Sequence, residues 1–81
     1  MAKPIICMNL INKTDKYALY EYGESMESLD GQIKISIANP REDFEIVTES
    51  SIGYSNTLLA YSKLARTIEK GDVPEIVCRA S

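Results

Sequence analysis

The chain has 81 residues, with 12 acidic and 9 basic side chains, no histidine, two cysteines and a formal net charge of −3. That length allows one domain, residues 1–81, with a small core. The charge argues against nucleic acid and anionic membranes as partners, because binders of those surfaces draw their affinity from clustered Lys and Arg. Nine acidic residues lie between Asp15 and Glu49 against only Lys16, Lys34 and Arg41.

At 44% hydrophobic and 26% charged, with apolar residues spread along its length, the chain has an ordinary globular composition. It has no internal repeat, linker or low-complexity tract. The N-terminal "MAKPIICMNLIN" is too short an apolar run to span a bilayer and lacks the cleavage pattern of a signal peptide, so the expected location is the cytoplasm. Two thiols in such a chain are not a disulfide scaffold.

Pro4–Asn12 is an apolar run of strand length. "NKTD" at Asn12–Asp15 reads as a polar turn, and the aromatic-rich Lys16–Tyr22 as a second strand. Strand alternation sends Tyr17 and Leu19 to one face and Ala18, Tyr20 and Tyr22 to the other. Gly23–Asp30 is an acidic loop in which Met26 and Leu29 are expected to turn inward.

Gly31 then opens the clearest strand, "QIKISIAN", where Ile33, Ile35 and Ile37 alternate with Lys34 and Ser36. "NPRE" at Asn39–Glu42 has Pro40 where a β-turn accepts its fixed φ. Asp43–Glu49 alternates again, with Phe44, Ile46 and Thr48 opposite Glu45, Val47 and Glu49.

A helix is expected from about Asn56 to Lys70, with Leu58, Tyr61, Leu64, Ala65 and Ile68 on one face. Gly71 suits the left-handed residue that ends helices, and Pro74 leads into a last strand, "EIVCR". The order β-β-β-β-α-β defines an α+β fold, a mostly antiparallel meander of four to five strands with one amphipathic helix on one face. Pairing of the last strand with the first, sheet order 5-1-2-3-4, is favoured over a parallel crossover to the fourth. The helix is expected on the Ile33/Ile35/Ile37 side, which leaves Tyr20 and Tyr22 on an open face.

Five features bear on function. Gly53, Ser55, Asn56 and Thr57, within Ser51–Thr57, resemble both an anion-binding helix start and an ordinary N-cap. The run lacks the paired glycines and Gly-Lys-Ser/Thr of a nucleotide loop, so self-capping is the simpler reading. Lys63, Arg66 and Lys70 form a basic helical stripe around Leu59, either a solvated face or a contact surface. Tyr20 and Tyr22 suit a self-association face, since tyrosine joins large contact area to a polar tip.

Glu24, Glu27 and Asp30 lack the spacing of a calcium loop. Without histidine, no Ser–His or Cys–His pair and no four-ligand zinc site can form, so no catalytic residue, metal or cofactor is assigned. Cys7 and Cys78 read as buried, inert thiols, with a bridge open to them only if the first and last strands pair. The leading expectation is a small non-enzymatic interaction or regulatory module, a homodimer through an open sheet face or a strand edge, or the partner of another protein. An anionic-ligand binder at the helix start is the alternative.

Overall fold

A computed structural model describes residues 5–80. Pro4, the expected start of the first strand, lies outside them. The elements are β1 (Ile5–Lys13), β2 (Tyr17–Gly23), β3 (Gly31–Ser36), β4 (Phe44–Thr48), α1 (Tyr54–Glu69) and β5 (Ile76–Ala80). They form one five-stranded sheet of order β4-β3-β2-β1-β5, antiparallel throughout, with the helix on one side. The last strand therefore pairs with the first, as the alternation and the returning helix imply.

Polar turns join the meander. Between β1 and β2, Thr14 N–H donates to the Tyr17 carbonyl at 2.8 Å, and the Thr14 hydroxyl accepts from Tyr17 N–H at 3.0 Å. The Asn39–Glu42 turn closes through Glu42 N–H to the Asn39 carbonyl at 3.2 Å, with Pro40 in its second position. The Gly23–Asp30 connection tightens where Ser28 N–H donates to the Ser25 carbonyl at 3.0 Å. Met26 lies at that tip and is exposed, contrary to the inward turn expected of it, while Leu29 is half-buried.

Two irregularities interrupt the ladders. The β1–β2 register shifts between Leu10 and Asn12, leaving Ile11 as the extra, exposed residue. The β3–β4 register shifts between Gln32 and Ile33, so Thr48 comes opposite Gln32 while Ile46 stays opposite Ile33. Such bulges bend the strand locally and increase its twist.

The core lies between sheet and helix. In an antiparallel pair, directly opposed residues share a face. Tyr20 stands opposite Ile33 and Ala18 opposite Ile35, so the tyrosine side of β2 is the isoleucine side of β3. Tyr20 and Tyr22 are 0% exposed, as are Met8, Ile33, Ile35 and Leu64. The expectation of an open tyrosine face is thus overturned: the helix covers Tyr20 and Tyr22 together with the isoleucines.

On the helix, Thr57, Ala60, Leu64, Ala65 and Ile68 are buried, and Tyr61 stacks on Phe44 with ring centroids 3.8 Å apart. The small Ala60 and Ala65 let the helix backbone approach the sheet. Leu58, expected on the buried face, is 37% exposed, because Thr57 occupies the inward position one residue earlier. Gly71, at φ 91°, ends the helix with its N–H on the Ile68 carbonyl at 2.9 Å.

Candidate functional site

Where the loop runs into the helix, the side chains of Asn56 and Thr57 are spent on the chain itself. The helix starts at Tyr54, two residues earlier than its pattern suggests, and its N-cap is Gly53, which offers no side chain. Thr57 is 1% exposed, and its hydroxyl donates to the Gly53 carbonyl at 3.0 Å. Asn56 turns its amide back to donate to the Ile52 carbonyl at 2.8 Å. Gly53 and Ser55 are exposed. The four candidate groups therefore do not converge on a common point, and Ser, Asn and Thr do not cap the helix N–H groups as expected.

Two intrachain anchors hold this loop instead. The Tyr22 hydroxyl accepts from Ser50 N–H at 3.2 Å and lies 2.8 Å from the Thr57 hydroxyl. Because the Thr57 proton is given to Gly53, the Tyr22 proton goes to Thr57, and a directed chain runs Ser50 N–H, Tyr22, Thr57, Gly53 carbonyl. The second anchor is Asp30, which accepts from the Ser50 hydroxyl and, at 3.0 Å, from Ser51 N–H. Those hydrogen bonds, the Ser50 one foremost, lower the Asp30 pKa to about 2. The anion gripped beside the helix start is the chain's own carboxylate, and its charge disfavours a second anion there.

Asp30 is thereby held apart from Glu24 and Glu27. Among the described residues no three His, Cys, Asp or Glu side chains gather as metal ligands do.

The basic stripe is only partly a surface. Arg66 and Lys70 are exposed, but Lys63 is half-buried, and Leu59 packs against the core rather than standing clear as an apolar anchor. Across the neighbouring turn, Arg41 Nε donates to both carboxylate oxygens of Glu69 at 2.9 Å, between two exposed side chains.

Among the described residues, no second layer covers the sheet face opposite the helix. Its cross-strand rows follow from the register. One runs Ile76, Asn9, Glu21, Gln32, Thr48, and the next Asn12, Leu19, Lys34, Glu45. Tyr17 lies beyond them opposite Ser36. The Lys34 ammonium sits 4.4 Å from the centre of the Tyr17 ring, whose hydroxyl donates to Asp43 at 3.2 Å. That hydrogen bond, with the nearby Asp43 charge, raises the Tyr17 pKa. Asn12, Thr14, Tyr17, Leu19 and Lys34 line a shallow depression of about 320 Å³ on this side. Its apolar floor is Leu19 and Tyr17, and Lys34 is the charged residue of its lining. Tyr17 and Leu19, the alternate residues of the same strand, thus stand on the open face in place of the expected Tyr20 and Tyr22.

Beside the Ile76–Asn9 pairing, Cys7 stands directly opposite Cys78, with Cα atoms 4.1 Å apart, and the two form a disulfide. The expected pair of inert thiols is thus a bridge, made possible by the β1–β5 pairing; Cys7 is buried, but Cys78, on the edge strand, is exposed.

The fold defines a small α+β domain, a five-stranded antiparallel sheet backed by one helix. No protein-family model matches the chain, and neither a curated protein nor a solved structure matches it. No helix among the described residues is long and apolar enough to cross a membrane.

Proposed function

We propose that this domain is a non-enzymatic protein-interaction module of the cytoplasm that self-associates through the sheet face opposite its helix. The observation that supports this reading is the sheet face itself, which no other described element covers, with Leu19 and Tyr17 on it and Lys34 flanked by Leu19 on β2 and Glu45 on β4. In a two-fold dimer the same patch meets itself, so Lys34 of one copy is placed to face a carboxylate of the other. Strands about 4.8 Å apart and roughly 20 Å long give a face of roughly 20 by 20 Å. That projected area, about 400 Å², is about half the roughly 800 Å² per partner of a standard interface, so the dimer is a weak one, formed at high micromolar concentration.

Sedimentation equilibrium across that range tests the proposal. A mass rising toward twice 9.1 kDa supports it. Leu19→Lys, which leaves the helix-side core untouched, should return the protein to monomer with its thermal midpoint at low concentration nearly unchanged. A wild type that stays monomeric throughout, or a dimer indifferent to Leu19→Lys, overturns it.

A further inference from the structure

The Cys7–Cys78 pair is a covalent cross-link between the first and last strands, and its two residues are unequally placed. Cys7 belongs to β1, an interior strand with β2 on one side and β5 on the other, and is 5% exposed. Cys78 belongs to β5, which ends the sheet, and is exposed. A thiolate must approach a disulfide in line with the S–S bond, from behind the sulfur it attacks. Behind Cys78 is the open edge of the sheet, whereas the approach to Cys7 passes over β2, where Gly23 stands opposite it.

We propose that this disulfide is a reversible clasp on the edge strand, opened under native conditions by a low-molecular-weight thiol such as glutathione attacking Cys78. The glutathione thiolate forms a new S–S bond to Cys78 Sγ. The Cys7–Cys78 bond breaks, and its electron pair leaves on Cys7 Sγ, which takes a proton from water. A second glutathione then attacks the mixed disulfide at the glutathione sulfur. It yields oxidised glutathione and a Cys78 thiol, so two glutathiones are oxidised as one protein disulfide is reduced. β5 keeps its backbone pairing with β1 and its buried Val77 through both steps, so opening the clasp loosens the edge without unfolding the domain. Cys78, the exposed residue of the pair, is the site at which a small thiol would remain attached in a mixed poise.

The test uses the whole chain, first oxidised with oxidised glutathione, then exposed to reduced glutathione without denaturant, alkylated and peptide-mapped. The expected result is mixed disulfide on Cys78 in excess of about 10-fold over Cys7, with Cys7 recovered alkylated and the far-UV circular dichroism unchanged. Two single variants give an independent reading: the lone thiol of Cys7→Ser should react with Ellman's reagent about 10-fold faster than that of Cys78→Ser. Adduct on Cys7 in equal or greater share overturns the proposal. So does a bond that resists glutathione until urea unfolds the chain, two free thiols after the oxidation step, or equal labelling of the two variants.

Discussion

The hydroxyls of Tyr22 and Thr57 lie 2.8 Å apart although 35 residues separate them in sequence, joining the second strand to the first turn of the helix inside the core. Tyr20 and Tyr61 do similar work nearby. The Tyr20 hydroxyl donates to the Pro74 carbonyl at 2.5 Å, in the loop leaving the helix, and the Tyr61 hydroxyl to the Pro40 carbonyl at 2.8 Å, in the β3–β4 turn. Three tyrosines thus bind three connections to the layered core, each bringing apolar bulk and one directed hydrogen bond.

Removing one such hydroxyl should cost more than the bond it makes. In Tyr22→Phe, Ser50 N–H loses its buried acceptor and Thr57 loses its donor. A loss of about 1–3 kcal/mol in urea unfolding is expected. Thr57→Val alone should cost less, because Tyr22 can redirect its proton toward the Thr48 carbonyl, now 3.4 Å away. The double variant should fall short of the sum of the two singles. Strict additivity would mean the two hydroxyls do not act as a unit.

Gly31 and Gly53 should both resist alanine, for different reasons. A Cβ on Gly31 would lie 2.5 Å from Tyr22 Cζ and 2.8 Å from Ser50 Cβ, so Gly31→Ala must push the ring off its hydrogen bonds. Overpacking of that kind costs about 1–3 kcal/mol. A Cβ on Gly53 meets nothing within 4 Å, but φ 93° and ψ 161° are a backbone region kept almost wholly by glycine. Gly53→Ala should lose about 1–3 kcal/mol to backbone strain alone. Combining Gly31→Ala with Tyr22→Leu should recover part of the first loss and none of the second, as denaturation midpoints would show.

Stability should change with pH at both ends of the scale. Asp30 has a pKa of about 2 in the folded chain against an ordinary 3.8, so the native state holds fewer protons there than the unfolded one. Its contribution is complete above the ordinary value and disappears as pH falls toward 2. Asp30→Asn should flatten the acid limb of a plot of thermal midpoint against pH. Burial, assisted by the Asp72 charge, raises the Tyr20 pKa to about 12. The native state therefore keeps a proton that the unfolded state loses, and stability declines as pH rises from 10 to about 12. Tyr20→Phe should shallow that decline, and an unchanged alkaline slope would count against it.

The disulfide spans 71 residues. For a loop of that size the chain-entropy relation gives about 4 kcal/mol, an upper figure for most native bridges. The core of so small a domain supplies on the order of 3–5 kcal/mol, so a large fall in the urea midpoint is expected on adding reductant. Cys7→Ala/Cys78→Ala should show the same fall and be insensitive to reductant.

The element order, the β1–β5 pairing, the Asn39–Glu42 turn and the helix end at Gly71 were legible because each rests on a local signal or on strand direction. The side of β2 covered by the helix was not. "KYALYEY" carries apolar residues on both faces, so alternation alone names two sides without ranking them. The eight-residue connection from Gly23 to Asp30 does not set the register with β3, and a slip of one residue exchanges the faces. Only the pairing of Tyr20 with Ile33 resolves this. The helix start misled for a related reason. Ser55, Asn56 and Thr57 have the composition of a cap, but Thr57 is drawn inward by Tyr22, a partner too distant in sequence to foresee.

Sheet order also bears on how the chain reaches this state. β1 through β4 are neighbours in sequence and can zip together as successive hairpins, whereas the outer flank of β1 waits for a strand that follows the helix. A nascent polypeptide still lacking Ile76–Ala80 presents Ile6 and Met8 on a strand paired along one flank only. Closure of the sheet is therefore a late, long-range event, and during synthesis the vulnerable margin is the strand made first.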